Sequence, residues 1–208
     1  MKINKPKITI YEDKTLIDAY NQDDFNNYHF KETPKENITI SNITIDSSIF
    51  EIIDFSNIKL KNIDLVYTIF DGCDLSNKDF DNKLITRTIF KNCKILGTSF
   101  INSSLKDVEF TNCNLKYANF SSARINNVVI NESDLSESTF QETEIKNLSL
   151  NKAELTKTEF IKTNLKDVDF STSNINGTNF DFQSLKGIII DSFQAQNIIG
   201  ILGVKIKD

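Results

Sequence analysis

Residues 91–140 read KNCKILGTSF INSSLKDVEF TNCNLKYANF SSARINNVVI NESDLSESTF, and every fifth residue from Ile95 to Phe140 is a large apolar side chain. Followed outward, the series runs unbroken from Ile40 to Ile190, 31 consecutive positions, which 39% hydrophobic content does not produce by chance. Two residues ahead of the centre usually stands a small or β-branched residue, as in Thr98, Ser103, Val108, Cys113, Ala118, Ala123, Val128, Ser133 and Ser138. The other three positions are mostly polar. A period of five is neither the 3.6 of a helix nor the 2 of a strand, so the chain buries two residues, turns a corner and repeats. Of the 16 centres at multiples of ten, 11 are Phe, whereas 14 of the 15 between them are Ile or Leu, so adjacent sides differ in bulk. Cys73, Cys93 and Cys113 recur every 20 residues, as do Ile49, Ile69 and Ile89, which predicts four pentapeptides per coil.

The small residue, then Asp or Asn, then Leu or Phe of CDLSN (73–77), YANFSS (117–122) and SNINGTNF (173–180) resembles the pentapeptide-repeat family. The resemblance implies an all-β fold, a right-handed quadrilateral parallel β-helix, with a hand that agrees with parallel crossovers in general. At about 4.8 Å between strands, the series makes nearly eight coils and a rod roughly 37 Å long.

A solenoid exposes unpaired strand edges at its ends and needs caps. Residues 1–35 break the period and are expected to form an irregular N-terminal cap, with Phe25 and Phe30 still in register; residues 36–190 form the repeat domain. Residues 191–208 form a C-terminal helix and tail, with Asp191 or Ser192 as N-cap and Phe193, Ile198, Ile199, Ile201 and Leu202 as its apolar residues. Those side chains suit either a lid on the last coil or a homodimer contact. Lys78 and Lys83 occupy inward small positions. An ionised Lys is not buried unpaired, so a bulge or distorted corner is expected there, with the amines reaching water.

Composition excludes several functions. There is no phosphate loop, serine elbow or zinc motif, and His29 is the only histidine. The three cysteines fall on an inward column rather than converging as a tetrahedron of metal ligands. A convex rod encloses no substrate, so neither enzyme activity nor a cofactor is expected. With a formal charge of −5, direct nucleic-acid binding is not expected either. No apolar run long enough for a membrane span or secretory signal is present, and a cytoplasmic protein is expected.

The most polarised stretch carries Glu132, Asp134, Glu137, Glu142 and Glu144, with no Lys or Arg from Ile125 through Ile145, and Glu154 extends it one coil on. This acidic belt is either a solvated face or a partial imitation of DNA, which bears one negative charge per about 1.7 Å. Uniform density is lower here, since residues 36–190 hold 21 acids against 16 bases.

The end of the chain, LKGIIIDSFQAQNIIGILGVKI (185–206), resembles the Qnr-type quinolone-resistance proteins at Leu185, Gly187, Asp191, Phe193, Gln194, Ala195, Leu202 and Gly203, most closely the chromosomal members of Gram-positive bacteria. That resemblance implies a homodimer through the tail helix and a partner, DNA gyrase or topoisomerase IV, protected from fluoroquinolones. The unbroken register leaves no room for the projecting loops of several transferable members. The alternative is a generic interaction scaffold docking through Ile49, Ile69 and Ile89.

Overall fold

The structure is a computed structural model that describes residues 3–9, 12–200 and 203–204. In chain order, β1 (Glu12–Asp13), α1 (Leu16–Gln22) and β2 (Tyr28–Phe30) open the chain. The solenoid then follows as β3 (Ile38–Asp46), β4 (Ile49–Glu51), β5 (Ile58–Val66), β6 (Ile69–Asp71), β7 (Leu84–Thr86), β8 (Ile89–Lys91), β9 (Ser104–Thr111), β10 (Arg124–Asn131), β11 (Glu144–Asn151), β12 (Glu159–Phe160) and β13 (Asn179–Phe180). The last element is α2 (Ser192–Ile199).

All pairing is parallel, and its step is one coil of 20 residues: Phe30 pairs with Phe50, Phe50 with Phe70, and Phe90 with Phe110. The corners are visible in the backbone. A left-handed residue recurs two places after the centre, at Asn82, Arg87, Asn92, Asn102, Asp107 and Asn112 among others. Four such corners per coil give a four-sided parallel β-solenoid. Asn, Asp and Gly tolerate this conformation, whereas Ile52 at φ 54° is β-branched and carries the strain this implies.

The residue before the centre explains the preference for Asp or Asn there. Its side-chain oxygen accepts from the N–H two residues on, as in Asp54 with Ser56 at 2.8 Å, Asp74 with Ser76 at 3.0 Å and Asn114 with Lys116 at 3.1 Å. Each is a turn held by its own side chain.

Inside, the two Phe-rich sides face each other. Phe30, Phe50, Phe70, Phe90 and Phe110 stack at 4.8 to 5.2 Å between ring centroids on the first side. Phe80 through Phe180 stack at 4.7 to 5.6 Å on the third. The ladders meet edge to face, as Phe100 and Phe110 do at 6.3 Å and 76°. Several inward threonines are satisfied by the coil below, as Thr98 Oγ1 donates to Leu75 O at 2.8 Å and Thr158 Oγ1 to Leu135 O at 2.7 Å, whereas Ser103 and Ser133 donate within their own coil and Ser138 Oγ is buried without a partner. Cys73, Cys93 and Cys113 follow the same rule, with Sγ 3.3 to 3.4 Å from the carbonyls of Phe50, Phe70 and Phe90.

The ladder breaks at the two lysines. Whereas β3 pairs with β5 from Ile38–Ile58 through Asp46–Val66, β5 pairs with β7 only at Leu65–Ile85 and Val66–Thr86. One coil on, Ser99 N–H donates to Lys78 O, yet the Ile58 carbonyl accepts from Nζ of Lys78 at 3.0 Å. Likewise Leu84 N–H turns to Asp64 Oδ1 at 2.7 Å, while Lys83 Nζ donates to Asn62 Oδ1. The corner is distorted, but the amines end on protein oxygens rather than only in water. They wedge the coils apart because a half-buried ammonium must find acceptors.

Both ends are covered. Thr15 caps α1, whose Leu16 and Ala19 are buried beside Phe25. Preceding it, β1 pairs with β2 at a step of only 16 residues (Asp13 with His29), so the first turn is shorter than a coil. At the other end Asp191 caps α2 by a reciprocal capping box with Gln194. Gln194 is buried, and its Nε2 donates to Phe170 O at 2.8 Å and Ser173 O at 2.7 Å, satisfying edge carbonyls of the last coil. Ile198 is buried beside it. Residues 3–7 do not join either cap. They run back along the outside of the rod, where Ile3 is buried and Asn4 binds Asp107.

Replacing Lys78 with Thr and Lys83 with Ser, the residues found one coil on, is expected to close the gap and raise stability by about 1–3 kcal/mol. A higher urea midpoint would show this; a lower one would mean the amines are net stabilisers. The turn-holding carboxylates predict acid sensitivity. Burial works to raise Asp74 and Asp134, but hydrogen bonds from Ser76 and Ser136 and the nearby Lys94 and Lys116 outweigh it, leaving both below the ordinary 3.8. Hydrogen bonds from Ser171 lower Asp169 as well. A lowered folded value means that this stabilisation is present above the unfolded value and lost as pH falls through the folded one. Thermal midpoints should therefore hold from about pH 7 to about pH 5 and fall below about pH 4; a flat profile there would remove these carboxylates from the account.

Candidate binding surface

The sequence-predicted belt does not lie on one face. Glu132 sits at the corner after the first side, Asp134 and Glu154 on the second side, Glu137 at the next corner, Glu142 at the one after, and Glu144 on the fourth side, where it pairs in the ladder with Arg124. The five carboxylates of 132–144 thus form a ring around the coil, so a flat partner meets only part of it.

Stacking also brings cations that the linear stretch lacks. Glu132 pairs with Lys152 at 2.8 Å and Glu142 with Lys162 at 2.9 Å, both one coil on. Asp134 meets Lys116 at 3.2 Å and Glu144 meets Arg124 at 3.6 Å. Glu137 accepts from the Tyr117 hydroxyl at 3.4 Å, and Glu154 from Thr156 N–H and the Asn174 amide at 3.0 and 2.8 Å. The hydrogen bonds from Lys152 and Lys162 hold Glu132 and Glu142 below the usual carboxylate range and raise the two lysines in return. These pairs are exposed, so each contributes little to stability, and the long Lys stems can swing away at small cost.

The second side carries the longest acidic column. Asp54, Asp74, Lys94, Asn114, Asp134, Glu154 and Asn174 are bridged in succession, one per coil. Four of the seven are carboxylates facing outward, interrupted by Lys94, whose amine lies 3.6 Å from Asp74. On the first side Ile49, Ile69 and Ile89 are paired in register and half-buried.

Of the apolar residues in the tail, Ile198 packs on its own coil, Ile199 is half-buried and Phe193 points outward at 80% exposure. Ile201 and Leu202 lie outside the described residues. Phe182 and Ile189 of the last coil are exposed too. Helix α2 therefore rests on the last coil through Gln194 and Ile198 and leaves the Phe193 ring in solvent.

Among the described residues no catalytic constellation is assembled. His29 lies between Asp13 at 3.5 Å and Glu51 at 2.9 Å on the rim of the first coil. Among the described residues no group of His, Cys, Asp and Glu is arranged to hold a metal ion, and no helix is long and apolar enough to cross a membrane. The Cys93 sulfur beside them and burial raise the Cys73 and Cys113 thiols far above the ordinary thiol range, so they stay protonated core residues.

Solved structures similar to the chain include full-length QnrB1, a plasmid-mediated fluoroquinolone resistance protein, with a TM-score of 0.48 and 21% identity over 86% of this chain and 89% of that one. A pentapeptide repeat protein from the thylakoid lumen of Arabidopsis thaliana gives a TM-score of 0.34 and 24% identity over 51% of this chain and 63% of that one. HetL, a pentapeptide repeat protein involved in heterocyst differentiation regulation from the cyanobacterium Nostoc, gives 0.32 and 12% over 91% and 93%. No curated protein matches the chain. Residues 63–140 match the family model of a pentapeptide repeat region, and residues 133–177 match that of pentapeptide repeats in eight copies. Together the two spans cover residues 63–177, 115 of 208 and so more than half. The chain belongs to the pentapeptide-repeat family.

Proposed function

We propose that this protein is a non-enzymatic rod that binds a type II topoisomerase, DNA gyrase or topoisomerase IV, by imitating part of the charge of DNA, and that it does so as a homodimer. The observation that carries the reading is the second-side column of Asp54, Asp74, Asp134 and Glu154, repeated along one straight ladder. Support for the choice of partner comes from the tail that resembles Qnr-type proteins, whose Asp191 and Gln194 have definite work in closing the last coil. The intramolecular ion pairs shape the mechanism. A basic DNA-binding saddle would take over the carboxylates now shared with Lys94 and Lys116, exchanging one weak surface pair for another in a drier contact. Because that exchange is electrostatic, affinity should fall steeply with salt.

The test is a supercoiling assay with purified gyrase and a decatenation assay with purified topoisomerase IV, each with and without a fluoroquinolone. Asp54→Asn, Asp74→Asn, Asp134→Asn and Glu154→Gln together remove charge while keeping an oxygen to hold each turn. Wild-type protein is expected to relieve drug inhibition or to inhibit supercoiling itself, and the quadruple variant to need at least about tenfold more protein, a loss of about 1.4 kcal/mol. No effect of wild type at any dose sinks the topoisomerase reading; an unimpaired variant sinks the second side as the contact.

Dimerisation has its own test. Phe193→Glu leaves Gln194 and Ile198 in place as the lid, so it should convert a dimer to a monomer in sedimentation without lowering the melting temperature. A wild-type chain that sediments as a monomer would remove the dimer.

One observation favours a second reading. Ile49, Ile69 and Ile89 form a half-buried aliphatic strip in register on the first side, which suits a scaffold whose binding is insensitive to salt.

A further inference from the structure

The N-terminal residues 3–7 serve neither end of the rod, since α1 and α2 close those. They lie across a corner four coils along from β2 (His29 to Glu109 is 80 residues). There the rod receives them with specific chemistry. Asp107 accepts from the Asn4 backbone N–H and from the Asn4 side-chain amide, at 3.2 Å each, one on each carboxylate oxygen. Lys5 pairs with Glu109 at 2.9 Å, and Ile3 is buried alongside.

Asp107 is 1% exposed, although it occupies a corner position where Asp167, three coils on in the same column, is exposed. Burial works to raise its carboxyl, but the hydrogen bonds from Asn4 and Asn127 and the charge of Arg87 outweigh that and hold it low. Between the strap and the rod runs a groove of about 820 Å³ open to solvent, lined by residues 3–7 on one side and by Tyr67, Arg87, Glu109, Val129 and Asn131 on the other. Arg87 lies over the Tyr67 ring at 5.1 Å and stiffens that wall.

This arrangement reads a peptide. One carboxylate oxygen takes a backbone N–H, which any residue but Pro supplies, and the other takes a side-chain donor, here the Asn4 amide. Glu109 selects a cation, and the rod buries an aliphatic side chain at the position Ile3 occupies. A tethered segment needs little intrinsic affinity to fill such a site, because its effective concentration is high. We propose that the corner built by Asp107 and Glu109 is a docking site for an extended basic segment of a partner protein, bearing an aliphatic residue, Asn and Lys in succession, and that residues 3–7 hold it in cis until displaced. The site lies at the corner between the fourth and first sides, away from the acidic column of the second, and so stands independently of the topoisomerase reading.

The experiment uses the full chain and a fluorescent peptide of sequence KINKPKI, residues 2–8. In an opened variant, Ile3→Asp with Lys5→Glu, the strap is released while every repeat residue is kept; a circular dichroism melt verifies folding. By fluorescence anisotropy the opened variant should bind the peptide at least about tenfold more tightly than wild type, whose own strap competes. Adding Glu109→Gln to the opened variant should abolish most of that gain. Absence of binding to the folded, opened variant would overturn the proposal. So would equal binding to wild type and opened protein, or binding indifferent to Glu109→Gln.

Discussion

The stacking of each residue on the one 20 positions later is the constraint on which the rest of this rod depends. A coil closes only if its four inward centres fill a common cross-section, and the backbone groups pair only if the next coil repeats that section. Phe on Phe satisfies both demands, since flat rings at about 5 Å spacing match the strand separation. Hence the two opposed Phe ladders, the Ile and Leu sides between them, and small hydroxyl or thiol residues donating to the carbonyl below. The same constraint leaves carbonyls without partners at each end. Gln194 is placed where it can supply two of them.

Stacking also decides what the surface can present. Residues adjacent in sequence point from different sides of the rod, and residues 20 apart stand side by side. A run of acids along the chain therefore becomes a ring, and its neighbours in space come from other coils. Glu132 and Glu142 find Lys152 and Lys162 in this way, so the surface is patterned in columns of mixed sign. A partner reads columns, and the most continuous acidic one is on the second side.

Most of the fold was legible because period, register and coil length are all written as recurrences of residue type. Phe30 joins the ladder from outside the repeat proper, as its register with Phe50 required. Lys78 and Lys83 signalled a defect, but not that their amines would displace backbone donors and bind the Ile58 carbonyl and Asn62. That outcome depends on acceptors exposed only once the coils part. The acidic stretch was legible as composition and not as geometry, because the pairing lysines lie a whole coil away. In the tail a helix N-cap at Asp191 or Ser192 was signalled by residue type, and the reciprocal bond from Gln194 singles out Asp191. The division between inward Ile198 and outward Phe193 was not, since both are apolar and only the helix's seat on the last coil separates them. The strap was not anticipated: residues 3–7 have no repeat, and nothing in their sequence points to Asp107.

The central claim, one coil per 20 residues along a straight stack, is tested most directly by a distance in solution. Lys59 and Asn179 are exposed on the same side, 120 residues or six coils apart, and the native cysteines are buried away from labelling reagents. Spin labels at Lys59→Cys and Asn179→Cys should give a single narrow distance distribution centred near about 29 Å, six strand spacings of about 4.8 Å. A broad distribution, or a centre displaced by more than about two strand spacings, would contradict the account.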